Sequence, residues 1–454
     1  MTLKIYAASP IYSRITTGDH KFLAPILSYK TSVWLPGPYS KREKVITKLV
    51  IDKMGRFLTG HIPVIKDFCE QHNRTLEIQY GFDYHQLHDA PNLPGITLHH
   101  YQEKAITKAL SPGRGIIHAP TGSGKTVVAG ALISCFPHQN ILFIIHTKDL
   151  LSQTLEEFNK WFPNQVGVIG SGKLEPNKIT IGMIQTLNRL GPTEFDKIPT
   201  VVIVDEAHHI SGFGKSYAKV LERLVNAVHR YGLTATLGYL PEAKLAAEGH
   251  IGPVVAEVKM DELIDLGFLA EPKLRLIKIP RNPHFRTIKK YSDLYQAAIV
   301  ENKTRNKRIL ECAKEYLDQG LSSLILTVRL EHGQILESMA ESQYPELKLK
   351  YVHGGSESEI REEVRKGLVS GKIKVAVATT IFNEGVNIPS LGAVINAAGG
   401  KSEIAVLQKI GRGLRVTDEK KVIHLVDFFD PSHHFLIDHF GERLCIFFEK
   451  GWIK

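Results

Sequence analysis

Gly115-Ile116-Ile117-His118-Ala119-Pro120-Thr121-Gly122-Ser123-Gly124-Lys125-Thr126-Val127-Val128-Ala129-Gly130-Ala131-Leu132-Ile133 decides the fold of this chain. Its first four residues are short and apolar enough for a buried strand, and its last seven for a packed helix. The glycine-rich loop between them ends in Lys-Thr, the order strand, loop, helix that a phosphate-binding loop requires. Glycines let backbone N–H groups converge on phosphate oxygens, and the helix N-terminus adds a favourable dipole. Thr121, Gly122, Ser123, Gly124, Lys125 and Thr126 are therefore candidate nucleotide contacts. Lys125 is expected to reach the β- and γ-phosphates, and the Thr126 hydroxyl to ligate Mg²⁺. Ala119 stands where the usual pattern has its first glycine. An ordinary glycine-rich turn is the competing reading, and the flanks with the Lys-Thr pair argue against it.

Downstream of the loop the pattern repeats. Ile141–Ile145, Ile179–Gly182 and Val201–Val204 are apolar runs of strand length, each separated from the next by a potential helix. Such alternation implies a parallel sheet with helices on both faces, whose ligands bind at the carboxyl ends of the strands. A second series of strand candidates, Ser323–Val328, Ile373–Ala378, Ala393–Asn396 and Val422–Val426, has no phosphate loop. The expected fold class is α/β, with two tandem parallel-sheet domains at 91–256 and 257–454.

Residues 1–90 read as a small α+β module. Lys4–Ala7, Ser32–Leu35 and Thr75–Tyr80 are strand candidates, and a helix runs from about Ile62 through Glu70. Lys41, Arg42, Lys44, Lys48, Lys53 and Arg56 form a basic cluster that is either a solvated helix face or a contact to a duplex backbone. A turn-rich connector, Asp89–Gly95, closes the module. A chain starting near Pro91 would keep every expected nucleotide contact. Residues 257–300 read as a joint in which Arg281, Arg286, Lys289 and Lys290 surround Phe285, Tyr291 and Tyr295. That mixture suits either a solvated linker helix or a surface that tracks and stacks nucleic acid.

Composition narrows the class. The chain has 454 residues, a formal charge of +10 and four scattered cysteines, Cys69, Cys135, Cys312 and Cys445. The basic balance suggests a polyanionic partner. The cysteine spacing gives neither a zinc site nor a disulfide framework. No run approaches the ~20 apolar residues that span a bilayer, and no secretory signal is evident, so a cytoplasmic protein without membrane partners is expected.

Two further stretches carry chemistry. Val201–Val204 leads into Asp205-Glu206-Ala207-His208. An acid at the tip of a buried strand is held rigidly near the phosphate loop. Asp205 is expected to hold Mg²⁺ and Glu206 to orient and activate the attacking water. His208 is read as neither a metal ligand nor a general base, and His209, His433 and His434 as ordinary surface or cap residues. In the second series, Gln408-Lys409-Ile410-Gly411-Arg412-Gly413-Leu414-Arg415 places two arginines on one helical face. Guanidinium forks suit phosphate oxygens, so Arg412 and Arg415 are read as groups on the γ-phosphate, one an arginine finger.

Taken together, these stretches resemble a superfamily 2 helicase or translocase, with motifs over roughly residues 98 to 415. The resemblance implies two RecA-like domains, ATP and Mg²⁺ as cofactors, and DNA, single-stranded and branched, as partner. It assigns Gln102 in Leu98–Gln102 to adenine recognition, makes Asp205–His208 the D-E-A-H form of motif II, likens Leu233–Thr236 to motif III, and makes Gln408 to Arg415 motif VI. It assigns tracking-strand contacts to Thr147, Lys148, Gly170, Ser171, Gln185 and Thr186 in the first domain and to Arg329, His353, Thr379 and Thr380 in the second. Within the superfamily, Gly55–Gly60 in a small N-terminal module resembles the phage-type UvsW-like and RecG-like branched-DNA helicases. Lys409 departs from the arginine many members carry there. The resemblance implies a monomeric enzyme that unwinds or branch-migrates forked DNA. An RNA helicase and a nucleotide-gated clamp are the rival readings, and the strand-separating element is expected in the joint or the N-terminal module.

Overall fold

The computed structural model describes residues 2–35, 42–83, 88–236, 240–379, 388, 390–400, 422–449 and 452–453. The chain divides into two compact units, the first being Met1–Pro120 with Gly124–Val258, the second built on Lys259–Lys454.

The first unit opens with strands β1 (Leu3–Ala7), β2 (Tyr12–Thr17), β3 (Ser28–Leu35), β4 (Arg42–Leu49), β5 (Arg56–Leu58) and β6 (Leu76–Tyr80). Four of them form a sheet in the order β5-β2-β1-β6, parallel only at β1–β6. Strict alternation sorts its side chains: Leu3, Ile5 and Ala7 point inward, Lys4 and Tyr6 outward. The helix Ile62–Gln71 covers the inner face through Ile62, Ile65 and Cys69. Its sequence carries a proline in the first turn, where no intrahelical N–H is needed. Strands β3 and β4 pair with each other as a separate antiparallel ribbon. This corrects the helix-face reading of the basic cluster. Lys44 and Lys48 stand on a ribbon strand, Lys53 and Arg56 follow it, and Lys41 lies outside the described residues.

The module shares its core with the rest of the unit. Leu245, from the helix Pro241–His250, is a member of the module's own core beside Ile5, Tyr29 and Ile62. The buried Arg114 guanidinium donates to the carbonyl of Pro10 at 3.1 Å as well as to Ile251 and His250. Tyr12 Oη donates to Glu222 at 2.7 Å. The sequence boundary at residue 90 is therefore crossed by a continuous core.

The rest of this unit is an eight-stranded sheet. Its strands are β7 (Arg114–His118), β8 (Ile141–Ile145), β9 (Val166–Gly170), β10 (Lys173–Glu175), β11 (Ile179–Met183), β12 (Val201–Asp205), β13 (His229–Thr234) and β14 (Val254–Glu257). The order is β10-β9-β11-β8-β12-β13-β7-β14, and every pairing except β9–β10 is parallel. Strands such as Ile141–Ile145 are buried along their whole length, because helices cover both faces.

The second unit holds β15 (Glu271–Lys278), β16 (Ser322–Leu326), β17 (Lys350–Val352), β18 (Val375–Ala378), β19 (Leu391–Asn396) and β20 (Val422–Phe429), all parallel, in the order β15-β20-β19-β16-β18-β17. The expected joint is corrected here. Its residues 271–278 are an edge strand, a position that tolerates Pro272. Phe285, Tyr291 and Tyr295 pack with Leu294, Ile299 and Leu436 in a core of their own, so they are not a free stacking surface. Tyr295, 5% exposed, also donates its hydroxyl to the Ala398 carbonyl at 2.6 Å.

Candidate nucleotide and strand-contact site

Register aligns the chemistry of the first unit. Asp205 at the end of β12 lies opposite Leu233 of β13, and Thr234 lies opposite His118 of β7. The phosphate loop leaves β7, so loop, Asp205-Glu206 and Thr234 share one stretch of carboxyl edge. The loop is built on positive φ at Gly122 (89°) and Gly124 (76°). At Gly124 a Cβ would also come within 2.6 Å of Gln102 Nε2. Gln102 itself is buried, and its side-chain oxygen accepts the His99 N–H at 3.0 Å in a capping box. Lys125 Nζ donates to the Ala119 carbonyl at 3.4 Å, folded back over the loop.

Burial, then the neighbouring Glu206 charge, pushes the Asp205 carboxyl up to about 6, while Lys125 and His146 pull the other way. Two acids side by side with so little compensating charge are the donor set of a divalent cation. The glycine cradle and this acid pair fit a nucleotide phosphate with Mg²⁺: Lys125 and the loop N–H groups would hold the phosphates, and Thr126 and Asp205 the ion.

Glu206 occupies the left-handed region at φ 50°, ψ 55°, which a non-glycine residue adopts only at a cost of order 1–3 kcal/mol. Its N–H donates to Asp205 Oδ1 at 3.0 Å, locking the two acids together. His208 reaches from the acid pair to the end of β13. Its Nδ1 lies 3.1 Å from Thr234 Oγ1 and 3.4 Å from Glu206 Oε2, and Thr234 Oγ1 donates to the Thr236 carbonyl at 2.6 Å. The His209 ring lies 4.2 Å from that of His146, tilted at 47°. His433, by contrast, is a cap: its Nδ1 accepts the Phe435 N–H at 3.2 Å.

The first-unit strand-contact candidates line the other half of the same edge, on the contiguous strands β9, β11 and β8. Thr147 caps the helix Lys148–Trp161 by accepting the Leu150 N–H, and Lys148 is exposed. Gly170 ends β9, and Ser171 (φ 52°) with Gly172 (φ 84°) makes a two-residue hairpin turn into β10. Gln185 donates to the His146 carbonyl at 2.7 Å, and Thr186 follows on the same short helix.

In the second unit, Arg329, His353 and Thr379 follow β16, β17 and β18, again contiguous strands. Arg329 is engaged internally, donating to Gln296 at 2.6 Å and lying 5.0 Å over the Tyr295 ring. Thr379 is buried, its N–H on the Val352 carbonyl. Thr380, Gln408, Arg412 and Arg415 lie outside the described residues. Sequence reasoning missed the His208–Thr234 link, although both residues sit in motifs it had singled out.

Two family models match successive stretches of the chain: "Type III restriction enzyme, res subunit" over residues 95–238 and "Helicase conserved C-terminal domain" over residues 297–417. The chain is a superfamily 2 helicase, an ATP-hydrolysing enzyme with two RecA-like domains. It is 27% identical over 351 residues to the ATP-dependent DNA helicase uvsW of Enterobacteria phage T4, covering 74% of this chain and 68% of that protein. It is 24% identical over 369 residues to the DNA 3'-5' translocase XPB2 of Sulfurisphaera tokodaii, covering 72% and 81%. In fold it is similar to S. cerevisiae Dbp5 bound to RNA and ADP BeF3, with a TM-score of 0.57 at 16% identity, covering 78% of this chain and 88% of that one. Among the described residues no helix is long and apolar enough to cross a membrane.

Proposed function

We propose that this protein couples ATP hydrolysis to movement along DNA and uses it to unwind or branch-migrate forked and junction substrates in replication, recombination or repair. The observation that carries the reading is the shared carboxyl edge of the first sheet. Phosphate loop, acid pair and Thr234 occupy one half, and Thr147, Ser171 and Gln185 occupy the other. A rigid sheet with both chemistries on one edge lets a change at the phosphates be felt at the strand. The relatives named as a DNA helicase and a DNA translocase support DNA as the track.

In this reading Lys125 and the loop N–H groups hold the phosphates, Gln102 reads adenine, and Thr126 and Asp205 hold Mg²⁺. When bound there, the ion would neutralise charge developing on the transferred phosphoryl group. Glu206 accepts the proton of the attacking water, its carboxylate aimed by the left-handed backbone and by His208. Gln408, Arg412 and Arg415 contribute from motif VI, the arginines as positive charge for the transition state. Lys148, Gly170, Thr186, Arg329, His353, Thr379 and Thr380 line the strand path with Thr147, Ser171 and Gln185. The protein works as a monomer in the cytoplasm. The test measures ATPase and unwinding on single strands, blunt duplex, forks, four-way junctions and matching RNA. Preferential stimulation and unwinding by forks or junctions is expected. Stimulation by RNA alone, or tight binding with no strand displacement, would refute it.

A further inference from the structure

Strand β19 of the second unit ends in a segment whose carbonyls are held by buried side chains. Asn396 closes the strand and residues 397–400 follow it. Arg305 Nη1 donates to the Ala397 carbonyl at 2.9 Å, Tyr295 Oη to the Ala398 carbonyl at 2.6 Å, and Arg443 Nη1 to the Gly400 carbonyl at 3.3 Å. The three donors come from three helices, Lys303–Asp318, Tyr291–Tyr295 and His434–Glu449, and all are buried. Asn396 Oδ1 accepts the Ala398 N–H at 3.3 Å, and the Asn396 amide donates to Asp427, which also takes Arg443 Nε at 2.7 Å. Gly399 bends the chain at φ 63° between two of the held carbonyls. Gly400 is the last described residue before the stretch that contains Gln408, Arg412 and Arg415.

A guanidinium buried in this way is costly. Arg305 is 1% exposed, and its Nε and Nη2 meet no hydrogen-bond acceptor among the described residues. Its charge lies 5.1 Å over the Phe428 ring. An apolar side chain would fill that space at lower cost, since an incompletely satisfied ion regains less than the solvation it loses. What the arginine supplies in return is a fixed Ala397 carbonyl. Tyr295 holds a second group as well. Its ring carries the Arg329 guanidinium at 5.0 Å, and the neighbouring Gln296 Oε1 accepts from Arg329 at 2.6 Å. The Gln296 amide donates to Glu331 at 2.8 Å. Tyr295 leads straight into a π-helical turn, Gln296–Val300, a local widening that is frequent at functional sites. One side chain thus meets a strand-contact candidate through its ring and the root of the arginine-bearing stretch through its hydroxyl.

We propose that Tyr295 is a positioning residue that ties the strand path to the arginines of the ATPase reaction. Its ring sets Arg329, its hydroxyl sets Ala398, and Arg305 and Arg443 pin the same root on either side. A shift of Arg329 toward a bound strand moves the ring, and the hydroxyl carries that shift to the segment from which Arg412 and Arg415 depart. The proposal rests on the helicase reading above and adds a named link within the second unit. A tyrosine hydroxyl that only satisfied a buried carbonyl would contribute stability alone, and the two roles separate in kinetics.

The test is steady-state ATPase of the full-length protein without nucleic acid, with saturating dT30 and with a saturating forked duplex, beside DNA affinity by fluorescence anisotropy. Tyr295→Phe keeps the ring under Arg329 and removes only the donor to Ala398. It is expected to lower the DNA-stimulated kcat by about 10-fold, the weight of one buried hydrogen bond, while basal kcat, KM for ATP and DNA affinity stay within about 2-fold. Tyr295→Leu removes the ring too and should also weaken DNA binding, by about 3- to 10-fold. Arg305→Met should lose stimulation as Tyr295→Phe does, and Arg305→Lys, which keeps a donor for Ala397, should recover most of it. A Tyr295→Phe protein stimulated to the parent level would overturn the proposal. So would basal and stimulated rates that fall together, or a lower melting temperature as the only change. A parent protein that no DNA stimulates would sink the helicase reading and this link with it, whereas a stimulated parent beside an unaffected Tyr295→Phe sinks the link alone.

Discussion

Gly60→Ala tests whether residues 1–90 are a module or part of the motor. Gly60 sits against the last turn of the helix Pro241–His250. A Cβ there would lie well inside contact distance of the Glu248 and Gly249 carbonyl oxygens and 2.8 Å from the Gly249 carbonyl carbon. All three are backbone atoms, so no rotamer change relieves the overlap. The two layers must separate, and the same seam carries Leu245 in the module core and the Arg114 bond to Pro10. Overpacking of this kind costs about 3 kcal/mol, near the upper end of the usual range because nothing soft can yield. For a unit of this size each kcal/mol is worth roughly 2–4 °C, so the melting temperature should fall by about 10 °C. The assay is thermal unfolding followed by far-UV circular dichroism and by loss of nucleotide binding. Both signals should move together in one transition. A variant melting within about 2 °C of the parent would refute the reasoning. So would a small early transition that leaves nucleotide binding intact. By the same argument a chain beginning near Pro91 keeps its nucleotide contacts yet exposes Leu245, and should be poorly soluble.

Four other outcomes are expected. Glu206→Gln should bind ATP but turn it over at least ~100-fold more slowly, since an amide cannot accept the water's proton; near-normal turnover in a steady-state assay removes Glu206 from that role. Arg412→Ala and Arg415→Ala should lower kcat by up to ~10³-fold with little change in nucleotide affinity, and the reverse pattern in binding and rate measurements would make them mere anchors. The third concerns acid. Burial, then the charges of His250 and Arg114, holds His61 down to about 3, and burial holds His229 down to about 4. Both are far below the unfolded value of 6.5. Folding therefore excludes two protons, and the stability they contribute is present above pH 6.5 and lost as pH falls toward the folded values. Between pH 5.5 and 4.5 the first unit should lose about 3 kcal/mol per pH unit in urea titrations, and His61→Gln should cut that slope to about half. Finally, Gly441 lies inside the helix His434–Glu449 with nothing within 4 Å of an added Cβ, so Gly441→Ala should stabilise the second unit by about 0.5–1 kcal/mol, read as a shift in its denaturation midpoint.

Much of the motor was legible because its signals are local. Ile141–Ile145, Ile179–Met183 and Val201–Asp205 read as strands since a strand buried on both faces must be a continuous apolar run. The phosphate loop and the acid pair stand out in the sequence because each is one short segment whose chemistry fixes its backbone. Other features have no local signature. Val166–Gly170 carries glycines that hide its strand character, and Glu271–Lys278 alternates charge like a linker because it is an edge. The ribbon's lysines left a solvated helix face open beside a duplex contact, because 42–49 mixes charged and apolar residues without clean alternation. Leu245 in the module core, His208 on Thr234 and Tyr295 on Ala398 are long-range pairings that only the folded chain reveals.

The left-handed backbone at Glu206 sets two selections against each other. A library randomised at that position and sorted only for folding should favour glycine or asparagine, which relax the strained dihedrals. The same library sorted for turnover should return glutamate, accepting the lost stability. Sequencing both pools would show, at a single codon, how far this enzyme has traded robustness for rate.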